Sequence, residues 1–263
     1  MLRNRSPKAT FLCYHSIADE GMRYLTISAA RFERQLDQLA SRGLDTGNLD
    51  ALVGAVEGRL RRPTAFLTFD DGFRDNYTTM LPILRERGQA AFVFVIPPLV
   101  DGGSPLAWPE VAAAQRLHPE TMLSVTWSMV EEMAAAGIQI GSHTMTHPHL
   151  PTLESDELRD ELLDSRRRIE ERLGSCRTIA FPFGEWSPAV VRASAECGYD
   201  YAFTLPTFTG QKNADRLTIP RINVDYRDGT RQFQMKLGRP AKSLLLSPTV
   251  TRLRRSVRRA KRR

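Results

Sequence analysis

Short apolar runs alternate with amphipathic stretches along almost the whole chain. Ala9 to Tyr14, Thr64 to Phe69, Ala91 to Ile96, Ile138 to Gly141, Thr178 to Phe181, Tyr201 to Thr204 and Arg221 to Val224 are brief and apolar, and read as strands. Between them, apolar residues recur at helical spacing. Phe32, Leu36 and Leu39 share a face after Ser28, with Gly43 as a stop. Leu158, Leu162, Ile169 and Leu173 do the same after Ser155, ending at Gly174. Asn76 to Gly88, Ser128 to Gly137 and Ser187 to Gly198 read as shorter helices. Strand and helix in repeated alternation predict an α/β fold, a single distorted, seven-stranded (β/α) barrel with its active site at the C-terminal strand ends.

Two segments leave this rhythm. Pro97 to Thr126, with Gly102-Gly103-Ser104-Pro105 and Trp108-Pro109, is long for a strand-to-helix connection. It reads as a lid or substrate wall, with a bland insertion as the competing reading. The second is the C-terminus. The pattern predicts a domain over residues 9–226 and a basic tail over 227–263, where Leu246, Val250, Leu253, Val257 and Ala260 recur at helical spacing. As a helix that tail would suit an anionic membrane surface, whereas as a coil it would be a solvated appendage.

Composition adds little except where charge is concentrated. The 263 residues are 41% hydrophobic and 25% charged, ordinary for a globular chain able to bury a sizeable core. The net charge of +7 gathers in Arg252, Arg254, Arg255, Arg258, Arg259, Lys261, Arg262 and Arg263, leaving a body close to neutral. No aromatic or recognition motif accompanies those charges, so nucleic acid is not the expected partner. Cys13, Cys176 and Cys197 are odd in number and form no CxxC pair, which points to reduced, buried thiols. The basic N-terminus lacks the long apolar region of a signal peptide, and no run has the length of a membrane span. These features predict a cytoplasmic protein, with the inner membrane face as a place the tail would suit.

Polar residues stand at the ends of the predicted strands. His15 follows the first. Thr68-Phe69-Asp70-Asp71-Gly72 closes the second, and His143-Thr144-Met145-Thr146-His147 follows the fourth. Adjacent carboxylates raise each other's pKa, so their place after an apolar run calls for a reason. One Asp with two His four residues apart can hold a divalent metal and leave positions open. The second Asp is then free to take a proton from the attacking water. An Asp-Asp-Gly alone is most often a turn, and the histidine pair alone a loop or helix cap. Together they outline a metal-assisted hydrolase.

These motifs resemble the polysaccharide deacetylases with a NodB-homology domain, carbohydrate esterase family four. TFDDG is matched by Thr68 to Gly72, the H-S/T-x-x-H motif by His143 to His147, and the proline-aromatic motif by Phe181-Pro182-Phe183-Gly184. The resemblance covers roughly residues 9–226. It implies that Asp71, His143 and His147 are metal ligands, with zinc the first candidate and cobalt, nickel or iron compatible, and that Asp70 is the general base. Two departures matter. No histidine follows His149, where relatives supply a general acid from a C-terminal L-x-H motif, and Ala180 stands where many relatives have the base-orienting arginine. Leu12-Cys13-Tyr14-His15 resembles the opening string of the poly-N-acetylglucosamine deacetylases, in which the barrel is permuted and the acid comes from the first strand. His15 is therefore the expected acid, and first and last strands are neighbours in a closed barrel. Arg221 and Arg177 are candidates to orient Asp70, with Arg221 preferred; either could instead be structural.

Tyr14, Phe183 and Trp186 offer ring faces for a sugar, although core packing serves Tyr14 equally well. His149 reads as a rim or structural residue, His118 as exposed and Trp127 as a hydrophobic anchor. The expected reaction is metal-dependent removal of N-acetyl groups from an N-acetylhexosamine-containing polysaccharide or glycolipid precursor. The competing readings are an O-acetyl esterase or non-sugar amidase on the same site, and a weakened barrel that only binds glycans. A two-carboxylate glycosidase is disfavoured, because adjacent Asp70 and Asp71 cannot flank a glycosidic bond.

Overall fold

The computed structural model describes residues 9–206 and 215–238. Seven parallel strands form its centre: β1 (Ala9–Tyr14), β2 (Thr64–Phe69), β3 (Phe92–Val95), β4 (Gln139–Ser142), β5 (Thr178–Ala180), β6 (Tyr201–Thr204) and β7, made of Ile219–Pro220 and Ile222–Asn223. Neighbours run β7-β6-β5-β4-β3-β2-β1 and back to β7. The two halves of β7 face opposite partners: Ile219 pairs with Phe203 of β6, and Ile222 with Leu12 of β1. The ring thus closes through a strand only five residues long, with Arg221 at the switch between partners.

Alternation along each strand sorts side chains into two cores. On β2, Ala65, Leu67 and Phe69 face outward into the apolar layer shared with the surrounding helices, where Leu36, Leu84, Leu162 and Ile169 are buried. Phe66 points the other way, joining Phe11, Phe92, Phe94 and Phe203 in an aromatic floor inside the barrel. The helix Leu49–Val56, which the sequence pattern did not single out, packs Leu52 under this floor. The floor fills the lower barrel, so residues above it on the same interior register must line the mouth.

Two expectations change. The helix Thr230–Leu237 packs against Ala29–Ser41 and buries Phe233 and Leu237 in the main core. Asp228, also buried, pairs with Lys236. The domain therefore continues past residue 226, and the predicted tail from 227 begins with folded structure; the basic segment after Leu237 lies outside the described residues. The predicted loop Pro97 to Thr126 contains the helices Pro97–Val100 and Ala112–Leu117, and its own apolar cluster gathers Leu106, Trp108, Val111 and Met122. It is packed wall rather than bare connection. Cys13, Cys176 and Cys197 are all buried free thiols. No described helix is long and apolar enough to cross a membrane.

Candidate metal and acid-base site

The interior register of β2 runs Phe66, Thr68, Asp70. It brings the Asp70 carboxylate above the aromatic floor, against Arg221 from the switch in β7. Arg221 is fully buried, its guanidinium 5.8 Å from the ring centres of both Phe94 and Phe203. Its two terminal nitrogens donate to Asp70 Oδ1 at 2.6 Å and Oδ2 at 2.8 Å, and one also donates to Thr68 Oγ1 at 2.9 Å. This paired geometry is the strong form of a carboxylate contact. The buried Cys13 thiol adds a donor to Asp70 Oδ2 at 3.4 Å. Burial alone would raise the Asp70 pKa, but Arg221, with His143 and His15 nearby, holds it well below the usual carboxylate range. Asp70 is therefore ionised at any working pH.

Asp71 departs from that register. Its backbone turns left-handed, φ 70°, and aims its side chain at the histidines following β4. Gly72 completes the turn at φ 65°, where a Cβ would come within 3.1 Å of Val95 Cγ1. Asp71 Oδ1 lies 3.2 Å from His143 Nε2 and 3.5 Å from His147 Nε2. His143 Nδ1 is 2.7 Å from the Ala180 carbonyl and donates its proton there, so in the neutral ring the lone pair sits on Nε2, facing Asp71. Burial lowers the His147 pKa to about 3, so its ring is neutral. Burial pulls His143 down as well, but Asp70 and Asp71 outweigh it and raise that pKa. Asp71 Oδ1 accepts no hydrogen bond among the described residues. Three buried electron-pair donors thus converge, all within 4.8 Å, with nothing positive between them. That donor set and its unsatisfied oxygen fit a divalent cation, and the Ala180 carbonyl fixes His143 in its ligating tautomer.

The loop carrying the histidines is held under strain. Thr144 has φ 70° and His147 φ 59°, unusual for non-glycine residues and most so for a β-branched one. Glu161, on the helix Ser155–Leu173, accepts the Met145 and Thr146 amides at 2.8 and 2.9 Å and the Thr146 hydroxyl at 2.6 Å. Trp108, from the long segment after β3, stacks on His147 with ring centres 4.2 Å apart. Phe183, itself at φ 58°, meets the His147 ring edge-on at 4.6 Å and stacks on His149 at 4.1 Å. His149 is half-exposed and pairs with Glu185 at 2.8 Å, as a rim residue would.

His15 follows β1 on the interior register. Atoms of Cys13, His15 and Asp70 lie within 4.8 Å of one another, so its ring faces the base side of the mouth. Burial lowers its pKa. Tyr14 corrects the sequence expectation. Next to His15 on a strand, it must face the opposite way, and its ring packs between Phe32 and Phe69 at 5.5 and 5.3 Å. At 1% exposure it presents no face to a sugar. Trp186 is half-buried against the main core, and Arg177 pairs with Asp200 at the surface rather than with Asp70. Sequence reasoning missed Cys13, Trp108 and Glu161 as site residues. Trp108 carried a signal in its Trp-Pro pair, whereas Glu161 is one more acid on a polar helix face.

Residues 57–202 match the family described as polysaccharide deacetylase. YxkH of Bacillus subtilis, whose own polysaccharide deacetylase assignment is provisional, is 26% identical over 220 residues, covering 82% of this chain and 71% of that protein. The poly-β-1,6-N-acetyl-D-glucosamine N-deacetylase of Escherichia coli is 24% identical over 262 residues, 86% of this chain. The chain spans only 38% of that relative's length. Among solved structures, the Streptococcus pyogenes deacetylase PplD, in complex with acetate, superposes with a TM-score of 0.71 at 22% identity, over 88% of this chain and 98% of that one. At that identity the superposition establishes the fold.

Proposed function

The chain belongs to the polysaccharide deacetylase family, and from that premise we propose that it is a metal-dependent hydrolase removing N-acetyl groups from an N-acetylhexosamine-containing polysaccharide or glycolipid precursor. The observation that carries this reading is the division of labour between adjacent carboxylates. Asp70 is bound to Arg221 on both oxygens, while Asp71 faces the Nε2 atoms of His143 and His147.

In this reading Asp71, His143 and His147 hold a divalent ion, with zinc the first candidate. Bound there, the ion supplies Lewis acidity to the acetyl carbonyl and to the attacking water. Asp70 takes the proton from that water. Arg221 keeps the carboxylate ionised and fixes its plane. His15, on the base side of the mouth, gives a proton to the departing amine nitrogen as the C–N bond breaks. Phe183 and Trp108 wall the mouth beside His147 and exclude water from it. Trp186, half-buried against the main core, is the remaining aromatic candidate for the sugar-facing surface.

The test is acetate release from N-acetylated and O-acetylated oligosaccharides by metal-depleted and zinc-reloaded protein. Acetate with an equimolar free amine, appearing only after reloading, is the expected result. Acetate without new amine would make the protein an O-acetyl esterase. Stoichiometric zinc binding with no acetate from any substrate would make it a glycan-binding barrel.

A further inference from the structure

Two buried residues that no motif names hold the backbone around His15. Asp75 accepts the Ile17 amide on Oδ1 at 2.8 Å and the Ser16 hydroxyl on Oδ2 at 2.7 Å. Asn76 donates its side-chain amide to the His15 carbonyl at 2.7 Å and to Asp75 Oδ1 at 3.1 Å. Three consecutive residues leaving β1 are thus gripped by two consecutive residues leaving β2. Asn76 is fully buried and Asp75 is 9% exposed. Asn76 also opens a wide turn over Asn76–Met80, hydrogen-bonded i to i+5, before the regular helix Leu81–Glu86 begins. Such turns recur at functional sites.

The His15 ring itself is held differently from His143. His143 is oriented by a hydrogen bond to its Nδ1. His15 Nδ1 is buried and has no hydrogen-bond partner among the described residues. The aim of the His15 ring is therefore set through its backbone. On its far side, the Ser16 amide donates to the Leu25 carbonyl, and Ser16–Ile17 pair with Thr26–Ile27. The loop that grips it is the one that begins with Asp70 and Asp71, so a single turn relates base, metal ligand and acid. Burial raises the Asp75 pKa to about 6 in spite of its three donors, an expensive way to build a turn for shape alone.

We propose that Asp75 and Asn76 are positioning residues that fix His15 relative to Asp70 for protonation of the leaving amine. The proposal rests on the reading of His15 as the general acid. An amine must gain a proton as it leaves, whereas 4-nitrophenolate departs without one. A loosened acid therefore slows amide cleavage and spares an aryl acetate.

The experiment compares N-acetylated oligosaccharide with 4-nitrophenyl acetate in zinc-loaded protein. Asn76→Ala should lower kcat on the amide roughly tenfold or more, since small misplacements of a catalytic group are costly. KM should stay unchanged and aryl acetate hydrolysis within about twofold, because the acid is unused there. Asp75→Ala should do the same, and Asp75→Asn, which keeps one acceptor, should recover part of the loss. Ser16→Ala removes one hydrogen bond and no buried charge, and gives the same selectivity at smaller size if Asp75→Ala does not fold. Adding Asn76→Ala to His15→Ala should cost nothing more on the amide. If His15→Ala itself shows no amide-selective loss, the acid assignment falls and this proposal with it. If His15→Ala is selective while the Asp75 and Asn76 variants slow both substrates together with a lowered Tm, the pair is scaffolding and the proposal alone is overturned.

Discussion

On the side of the mouth formed by β1, β2 and β7, every atom of the Asp70 carboxylate has a donor: two from Arg221 and one from Cys13. The backbone there continues the strand register. On the opposite side, beyond β4 and β5, Asp71 Oδ1 and His147 Nδ1 are buried without partners. There also lie Thr144, His147 and Phe183, which with Asp71 make up the described non-glycine residues at positive φ. Each such residue costs on the order of 1–3 kcal/mol and persists only where its surroundings force it. One carboxylate is fully paired; the other keeps an unpaired oxygen and faces the strained loops. The contrast teaches that adjacency in sequence did not give the two carboxylates one environment. A left-handed turn at Asp71 separates a charge neutralised by Arg221 from a charge aimed at two histidines.

The severest way to break this contrast is Asp71→Asn. It removes the anionic ligand from the unsatisfied side, and the protein should lose stoichiometric zinc and all detectable acetate release, read by metal analysis alongside the activity assay. Asp70→Asn should instead keep zinc and the fold while losing roughly 100- to 10,000-fold in kcat, the span expected for a general base. Zinc lost with Asp70→Asn, or kept with Asp71→Asn, would mean that the two roles are exchanged.

Arg221→Met attacks the satisfied side from beneath. It leaves a buried carboxylate uncompensated, a cost of about 3–5 kcal/mol, visible in denaturant unfolding near neutral pH. Its sign with pH follows from the depressed Asp70 value. A folded pKa below the unfolded one contributes stability that is present above the unfolded pKa, about 3.9, and is lost as pH falls through the folded value. Without Arg221, burial dominates and Asp70 titrates higher. The variant's acid limb in kcat/KM should therefore move to higher pH. An unmoved limb would separate Arg221 from the proton chemistry.

Smaller effects should come from the supports. Glu161→Gln weakens the hydrogen bonds that hold the strained histidine loop, and zinc affinity should fall about tenfold, by competition with a chelator, with the fold intact. Cys13→Ala removes only a thiol donor from a carboxylate already bound twice by Arg221. Its kcat/KM should stay within about threefold of the parent, because the charge-assisted pair dominates. A larger loss would make the thiol part of the acid-base machinery.

How far the sequence reached can be followed through particular residues. Strand and helix periods placed the barrel, because each element's apolar face is written locally. The TFDDG and HTMTH strings named the candidate metal set, because ligand chemistry demands few residue types at fixed spacing. Parity along β1 forbids Tyr14 and His15 from facing the same way. The domain runs past the edge predicted at residue 226, because the charge of the C-terminus masks the buried positions Phe233 and Leu237.

What the sequence determined by itself is therefore the set of candidate site residues and the rim on which they stand: Asp70, Asp71, His143, His147 and His15 all follow apolar strands. What only the tertiary structure decided is which group answers which. Arg221 meets Asp70 across 151 residues because β7 closes the ring beside β1 and swaps partners at that residue. Glu161 reaches the histidine loop from a helix face that looks like any other charged face. Local pattern records the energies a residue has with its near neighbours in the chain. The pairing of a buried charge depends on which distant strand lies alongside, and barrel closure fixes that.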